Sequence, residues 1–266
     1  MKTDDLKAAI HAQPMLLATS QPRLGLLWSA KAGCTFAVKW FLSQAGLLPA
    51  ATFFHAWIHQ YRNQVFYASE GFALALAQPD FLDFPFVKFV RDPYARCVSA
   101  YLAFCHVTHT QRNGEHGEFL SLIERSVGRQ LGAQRTFTFR EFVAFLGKLN
   151  LDCCDIHVRR QTHPLERLAA LRNLHVVQLE RSECELPAIE RMLGLPSTDL
   201  ASLRRSPHHA TKAEYPGIHA DTSFFNTVNH PTPAARSFYD DALRTAVAQL
   251  YAEDFSRYGY EKWRPG

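Results

Sequence analysis

The chain has 266 residues, 47% of them hydrophobic and 20% charged, which is the composition of a globular protein and not of a disordered or fibrous one. Its 29 Lys+Arg and 25 Asp+Glu give a formal net charge of +4, and the interspersing of basic and acidic residues argues against a dedicated nucleic-acid binder. One α/β domain over residues 1–266 is the expected organisation.

No segment reaches the roughly 18 uncharged apolar residues of a membrane span, and residues 1–13, with Lys2, Asp4, Asp5 and Lys7, do not read as a signal peptide. The six cysteines, Cys34, Cys97, Cys105, Cys153, Cys154 and Cys184, show no CxxC spacing. A reduced, cytoplasmic setting is the expectation.

In chain order, a polar N-terminal helix is followed by an apolar run at residues 24–28, which reads as a strand buried on both faces. Residues 29–35 break it. Residues 36–45 then carry Phe36, Ala37, Trp40 and Phe41 at helical spacing, with Gly46 where a C-cap is expected. Residues 51–55 are a candidate second strand and residues 84–90 a stronger third one. Asp92 as N-cap and Pro93 at the first helical position predict a helix running through Ser99, Tyr101 and Phe104. A polar loop at 111–117 precedes a helix opened by Thr138, with Glu141 placed for a capping box. A short helix at 165–171, a fourth strand at 175–179, a helix at 186–193 closed by Gly194, and a long final helix over 233–257 complete the reading. Residues 202–233 have no clear period and read as a long loop. Strands alternating with helices predict a P-loop-like, three-layer α/β/α fold with a central, mostly parallel sheet.

A strand that runs through a small-residue loop into a helix N-terminus offers unpaired N–H groups and the positive helix end to an anion. Lys31-Ala32-Gly33-Cys34-Thr35 stands at that place. Lys31 supplies a charge, Gly33 allows close backbone approach and Thr35 offers a hydroxyl. The stretch is not a Walker A loop, because its lysine precedes the only glycine. At the end of the third strand, Arg91 stands at the mouth of the next helix and Ser99 about two turns into it, so this second strand–helix unit can hold a second phosphate.

These residues carry a resemblance. Lys31-Ala32-Gly33-Cys34-Thr35 resembles the 5′-phosphosulfate loop of PAPS-dependent sulfotransferases. Residues 91–101, from Arg91-Asp92-Pro93 through Arg96 to Ser99-Ala100-Tyr101, resemble their 3′-phosphate motif, RDPxxRxxSxY, in particular that of the Golgi carbohydrate sulfotransferase branch. Thr138-Phe139-Arg140-Glu141-Phe142 is similar to that branch's tFeeF helix start, residues 155–161 to its DxHWxPQ segment, and Tyr251 to Phe255 with Tyr258-Gly259-Tyr260 to its YxxDF…FGY ending. Val158 and Arg160 depart from the usual Trp and Pro, and Cys34 from a frequent Ser or Thr.

The resemblance implies that a sulfuryl group passes in line from PAPS to a hydroxyl of a carbohydrate or glycolipid-type acceptor, without a metal. It implies Lys31 as the group that neutralises the leaving phosphate. The N–H groups of Gly33, Cys34 and Thr35, next to Ala32, would hold the 5′-phosphate, and Arg91 and Ser99 the 3′-phosphate. Lys212, in the loop that folds over the nucleotide in this family, is a further phosphate candidate. The family places its base after the second strand, where His55 leads on position, with His59 and Glu70 as alternatives. His157 reads as a loop-orienting residue, and His163, His208 and His209 lack metal-site spacing. Two other readings stand beside this one: an ATP/Mg²⁺-dependent phosphotransferase using the Lys31 loop, and a non-catalytic nucleotide-binding module.

Overall fold

The computed structural model describes residues 15–105, 117–131, 136–204, 215–225 and 231–262. The N-terminal helix expected before residue 14 and Lys212, His208 and His209 lie outside them, as does most of the polar loop at 111–117. In chain order the elements are β1 (Leu16–Ser20), β2 (Arg23–Leu27), α1 (Cys34–Gln44), α2 (Leu48–Phe54), α3 (Ile58–Tyr61), α4 (Glu70–Leu76), β3 (Phe86–Val90), α5 (Pro93–Cys105), α6 (Gly117–Val127), α7 (Phe139–Leu146), β4 (Leu174–Gln178), α8 (Ser182–Met192), α9 (Leu200–Arg204), α10 (Asp241–Leu250) and α11 (Ala252–Tyr258). The fold is α/β. The described residues divide into two compact units, those within residues 1–91 and 161–206 and those within residues 92–160 and 207–266.

The first unit holds a four-stranded sheet in the order β1-β2-β3-β4. β2, β3 and β4 are parallel, and β1 pairs antiparallel with β2 at the edge. β3 is buried along its whole length, as a parallel strand covered on both faces must be. Gly25 of β2 faces Phe86 of β3, and a Cβ at Gly25 would lie 2.3 Å from that ring, so only glycine lets the two strands close over the phenylalanine. Leu16, Leu27, Phe81, Phe84, Phe86 and Leu165 form a core at this end of the sheet. Lys88, in the middle of β3, is fully buried. A buried ammonium is tolerated only with partners, and those of Lys88 include Glu166 at 3.4 Å, the Ser29 hydroxyl at 3.0 Å and the Gln161 carbonyl at 2.6 Å.

The second unit is helical around an aromatic core in which Tyr101, Phe104, Phe119, Phe137, Phe139, Phe142 and Tyr251 are buried. α5 starts as the sequence predicts, with the Asp92 carboxylate accepting the Ala95 N–H at 2.8 Å. α7 carries the complete Thr138/Glu141 capping box.

Four expectations are corrected. Residues 51–55 are not a strand: with Pro49 in the first turn and two alanines behind it, α2 is helical to Phe54, and both suit a helix start better than a pleat. The strand beside β2 is instead β1, earlier in the chain. The long final helix is broken into a 3-10 turn at Ala235–Phe238, then α10 and α11, because Asp240 is extended and caps α10 while Tyr251 leaves helical dihedrals between the two. The short helix at 165–171 shrinks to a 3-10 turn, Pro164–Arg167. The polar loop's last residue, Gly117, already belongs to α6.

Candidate active site

Between β2 and α1 the chain turns in a way that suits an anion. Lys31, with φ 65°, and Gly33, with φ 74°, both take the left-handed conformation, and loops of this kind gather N–H groups into anion-binding concavities. Gly33 is the N-cap of α1, with no side-chain cap and no acidic residue in the first turn. The N–H groups there have no intrahelical acceptor, and no carboxylate competes for the positive helix end. A side chain at Gly33 would meet Leu179 at 2.6 Å as well as an unfavourable φ, so the glycine is fixed on two counts. Lys31, Gly33, Cys34 and Thr35 are half-buried and Ala32 is buried.

Arg91 joins this loop. It directly follows β3, and its guanidinium donates to the Lys31 carbonyl at 3.0 Å. Its main chain is held on both sides by one side chain: Gln161 Oε1 accepts the Arg91 N–H at 2.9 Å and Gln161 Nε2 donates to the Arg91 carbonyl at 2.9 Å. Arg91 and Lys31, sixty residues apart in sequence, therefore meet at one end of the sheet through the Lys31 main chain. Ser99 lies in the other unit, half-buried on α5.

The histidine brought to the loop is His59. Its Nε2 lies 3.1 Å from Thr35 Oγ1 and 3.8 Å from Cys34 Sγ, and Arg62 contacts its Nδ1 at 2.8 Å. Arg62 in turn lies over the Trp28 ring, 4.3 Å from its centroid, a cation–π arrangement that fixes the guanidinium. A guanidinium only donates, so Nδ1 accepts and the neutral ring carries its proton on Nε2, where it donates to Thr35. His55 is exposed after α2, and its Nδ1 accepts the Trp57 N–H at 2.8 Å. Glu70 is exposed in the first turn of α4.

His157 is held by Asp155 through both its N–H and its Nδ1, each at 2.8 Å, which is the loop-orienting part read from sequence. His163 is buried and caps the 3-10 turn at Pro164–Arg167. Among the described residues no group of three or more His, Cys, Asp or Glu side chains is arranged to hold a metal ion, and no helix is long and apolar enough to cross a membrane. All six cysteines are free. Burial pushes the Cys97 and Cys105 thiols up to about 12, so neither carries nucleophilic chemistry near neutral pH.

Sequence reasoning missed Arg62, Ser29, Lys88 and Glu166 as supports of the loop. The spacing of His59 and Arg62, one helical turn apart, was the available signal for the first.

The model described as Sulfotransferase family matches residues 44–261. The matched span contains Arg91, His59 and Gln161 and begins just after the Lys31 loop. No curated protein and no solved structure matches the chain. With most of its length inside that match, and with an α/β fold around a mostly parallel sheet, the chain belongs to the sulfotransferase family.

Proposed function

We propose that the protein transfers the sulfuryl group of 3′-phosphoadenosine 5′-phosphosulfate to a hydroxyl of a carbohydrate or sugar-bearing acceptor. The observation that supports this reading is the contact between the Arg91 guanidinium and the Lys31 carbonyl, a cation beside the helix N-terminus that would take the 5′-phosphate. The groups present suit the donor: backbone N–H groups, a hydroxyl and two cations are what phosphate oxygens accept from.

In this reading the acceptor oxygen attacks sulfur while the bond from sulfur to the 5′-phosphate oxygen breaks, and the acceptor's proton passes to a base. Negative charge grows on the departing 5′-phosphate. Lys31 and the N–H groups of Gly33, Cys34 and Thr35 meet it from preset positions, which is where such donors lower a barrier most. Thr35, receiving the Nε2–H of His59, keeps its own hydroxyl proton to donate to the phosphate. Arg91 takes the 3′-phosphate; the share of Ser99 in it rests on the sequence motif. His55 is the proposed base, because it is exposed to an incoming acceptor whereas His59 is buried with both ring nitrogens engaged. To act, His55 must release the Trp57 N–H.

The test is Arg91→Ala. Affinity for 3′-phosphoadenosine 5′-phosphate is expected to fall at least about tenfold, as loss of a charged hydrogen bond of about 1.5–3 kcal/mol implies, with little change for ADP. Equal losses on both ligands would remove Arg91 from 3′-phosphate recognition.

A further inference from the structure

The clamp on Arg91 has a feature that phosphate chemistry alone does not require. An amide side chain, fully buried, spends both its hydrogen-bonding ends on the main chain of one residue. β3 is paired with β2 only as far as Lys88 and with β4 as far as Val90, so Arg91 is the first residue past the ladder. Gln161 thus supplies the two bonds that a neighbouring strand would have made, and it fixes the backbone from which the Arg91 guanidinium extends to Lys31.

Gln161 is itself anchored from below. Its carbonyl accepts from Lys88 Nζ at 2.6 Å and from the Ser29 hydroxyl at 3.2 Å, and Lys88 also donates to Ser29 at 3.0 Å. Lys88 pairs with Glu166, with both side chains completely buried. Ser29 is two residues before Lys31, and Lys88 three before Arg91. One buried ion pair therefore ties together the roots of both phosphate-binding segments. Burying such a pair contributes little to stability, since well-packed apolar residues would serve as well or better. What apolar residues cannot supply is a fixed register between the Ser29 end of the loop and the Arg91 end of β3.

We propose that Gln161, held by the Lys88–Glu166 pair, is a positioning residue that sets the Arg91 guanidinium for the 3′-phosphate and so sets the protein's preference for a 3′-phosphorylated nucleotide. The proposal rests on the donor reading above. Gln161 makes no contact with the donor in it and acts through Arg91.

The experiment is calorimetric titration of the full chain and its Gln161→Leu variant with 3′-phosphoadenosine 5′-phosphate and with ADP, repeated on an Arg91→Ala background. Gln161→Leu is expected to lower affinity for the 3′-phosphorylated ligand about tenfold or more and to leave ADP within about twofold, since a small misplacement of a binding group is costly only to the ligand that uses it. In the Arg91→Ala background the same substitution is expected to have no further effect, because two residues acting through one contact are not additive. Equal losses on both ligands, or a full effect without Arg91, would overturn the positioning role. If the leucine variant does not fold, Gln161→Asn, one methylene too short to reach both Arg91 groups, is read by the same criteria. Failure of the wild-type protein to prefer the 3′-phosphorylated ligand would sink the donor reading itself, whereas intact preference in both the wild type and the Gln161 variants would sink only the role of Gln161.

Discussion

At the scale of single residues, the direction of each hydrogen bond decides what a histidine can do. Arg62 can only donate, so His59 presents an N–H to Thr35 and acts as a brace for the loop's hydroxyl. His59→Ala is therefore expected to weaken donor binding. His55→Ala is expected to leave donor affinity unchanged and to slow transfer by about 10²–10⁴-fold, the usual contribution of a general base. Calorimetry for binding and transfer from labelled donor for rate separate the two, and an unchanged transfer rate in His55→Ala would exclude it as the base. The sequence shows Lys31, Gly33 and Arg91 because their chemistry is written into adjacent residues. It shows His59 only as one of several histidines and says nothing of Lys88 or Glu166, whose meaning depends on partners 59 to 78 residues away.

At the scale of elements, local chemistry fixes starts better than lengths. Thr138 and Glu141 cap α7 reciprocally, at 3.1 Å and 2.8 Å, and this box was legible because both partners lie within four residues. Thr138→Ala is expected to cost about 1 kcal/mol, the usual value of an N-cap, read as a lower urea midpoint at unchanged slope; no shift would mean that Glu141 alone satisfies the turn. Asp240 does the same for α10, accepting the Leu243 N–H at 2.8 Å, and it also receives Arg140 at 2.7 Å. The Leu243 N–H first, and then Arg140, hold its carboxyl below the ordinary aspartate value of 3.8. A depressed pKa contributes stability that is fully present above the unfolded value and is lost as pH falls through the folded one. The stability gap between wild type and Asp240→Asn is thus expected to be constant above about pH 5 and to close below the ordinary aspartate range, as pH-dependent urea unfolding would show; a gap that persists in acid would mean the carboxylate charge is irrelevant there. The misreading of residues 51–55 has a physical cause. Phe53 and Phe54 look like core β residues, yet they are exposed on a helix, and an apolar run this short does not distinguish the two states.

At the scale of the whole molecule, each compact unit carries its own core, one beneath the sheet and one built from aromatic side chains. The alternation of strands and helices made the mostly parallel sheet legible. The antiparallel edge strand β1 was not, because it precedes the first strong apolar run and pairs through a tight hairpin. The end of the sheet proposed to bind phosphate is held by non-local bonds: Lys88 to Ser29, Gln161 to Arg91, Arg91 to Lys31. In the proposed function Lys31 and Arg91 serve one ligand that carries two separated phosphates.

The most direct test of that claim is calorimetric titration of the purified protein with 3′-phosphoadenosine 5′-phosphate, ADP and ATP, each with Mg²⁺ and with chelator. Tight binding that requires the 3′-phosphate and is indifferent to Mg²⁺ is the expected result, whereas preference for Mg²⁺-bound ATP would contradict it and return the Lys31 loop to phosphoryl transfer.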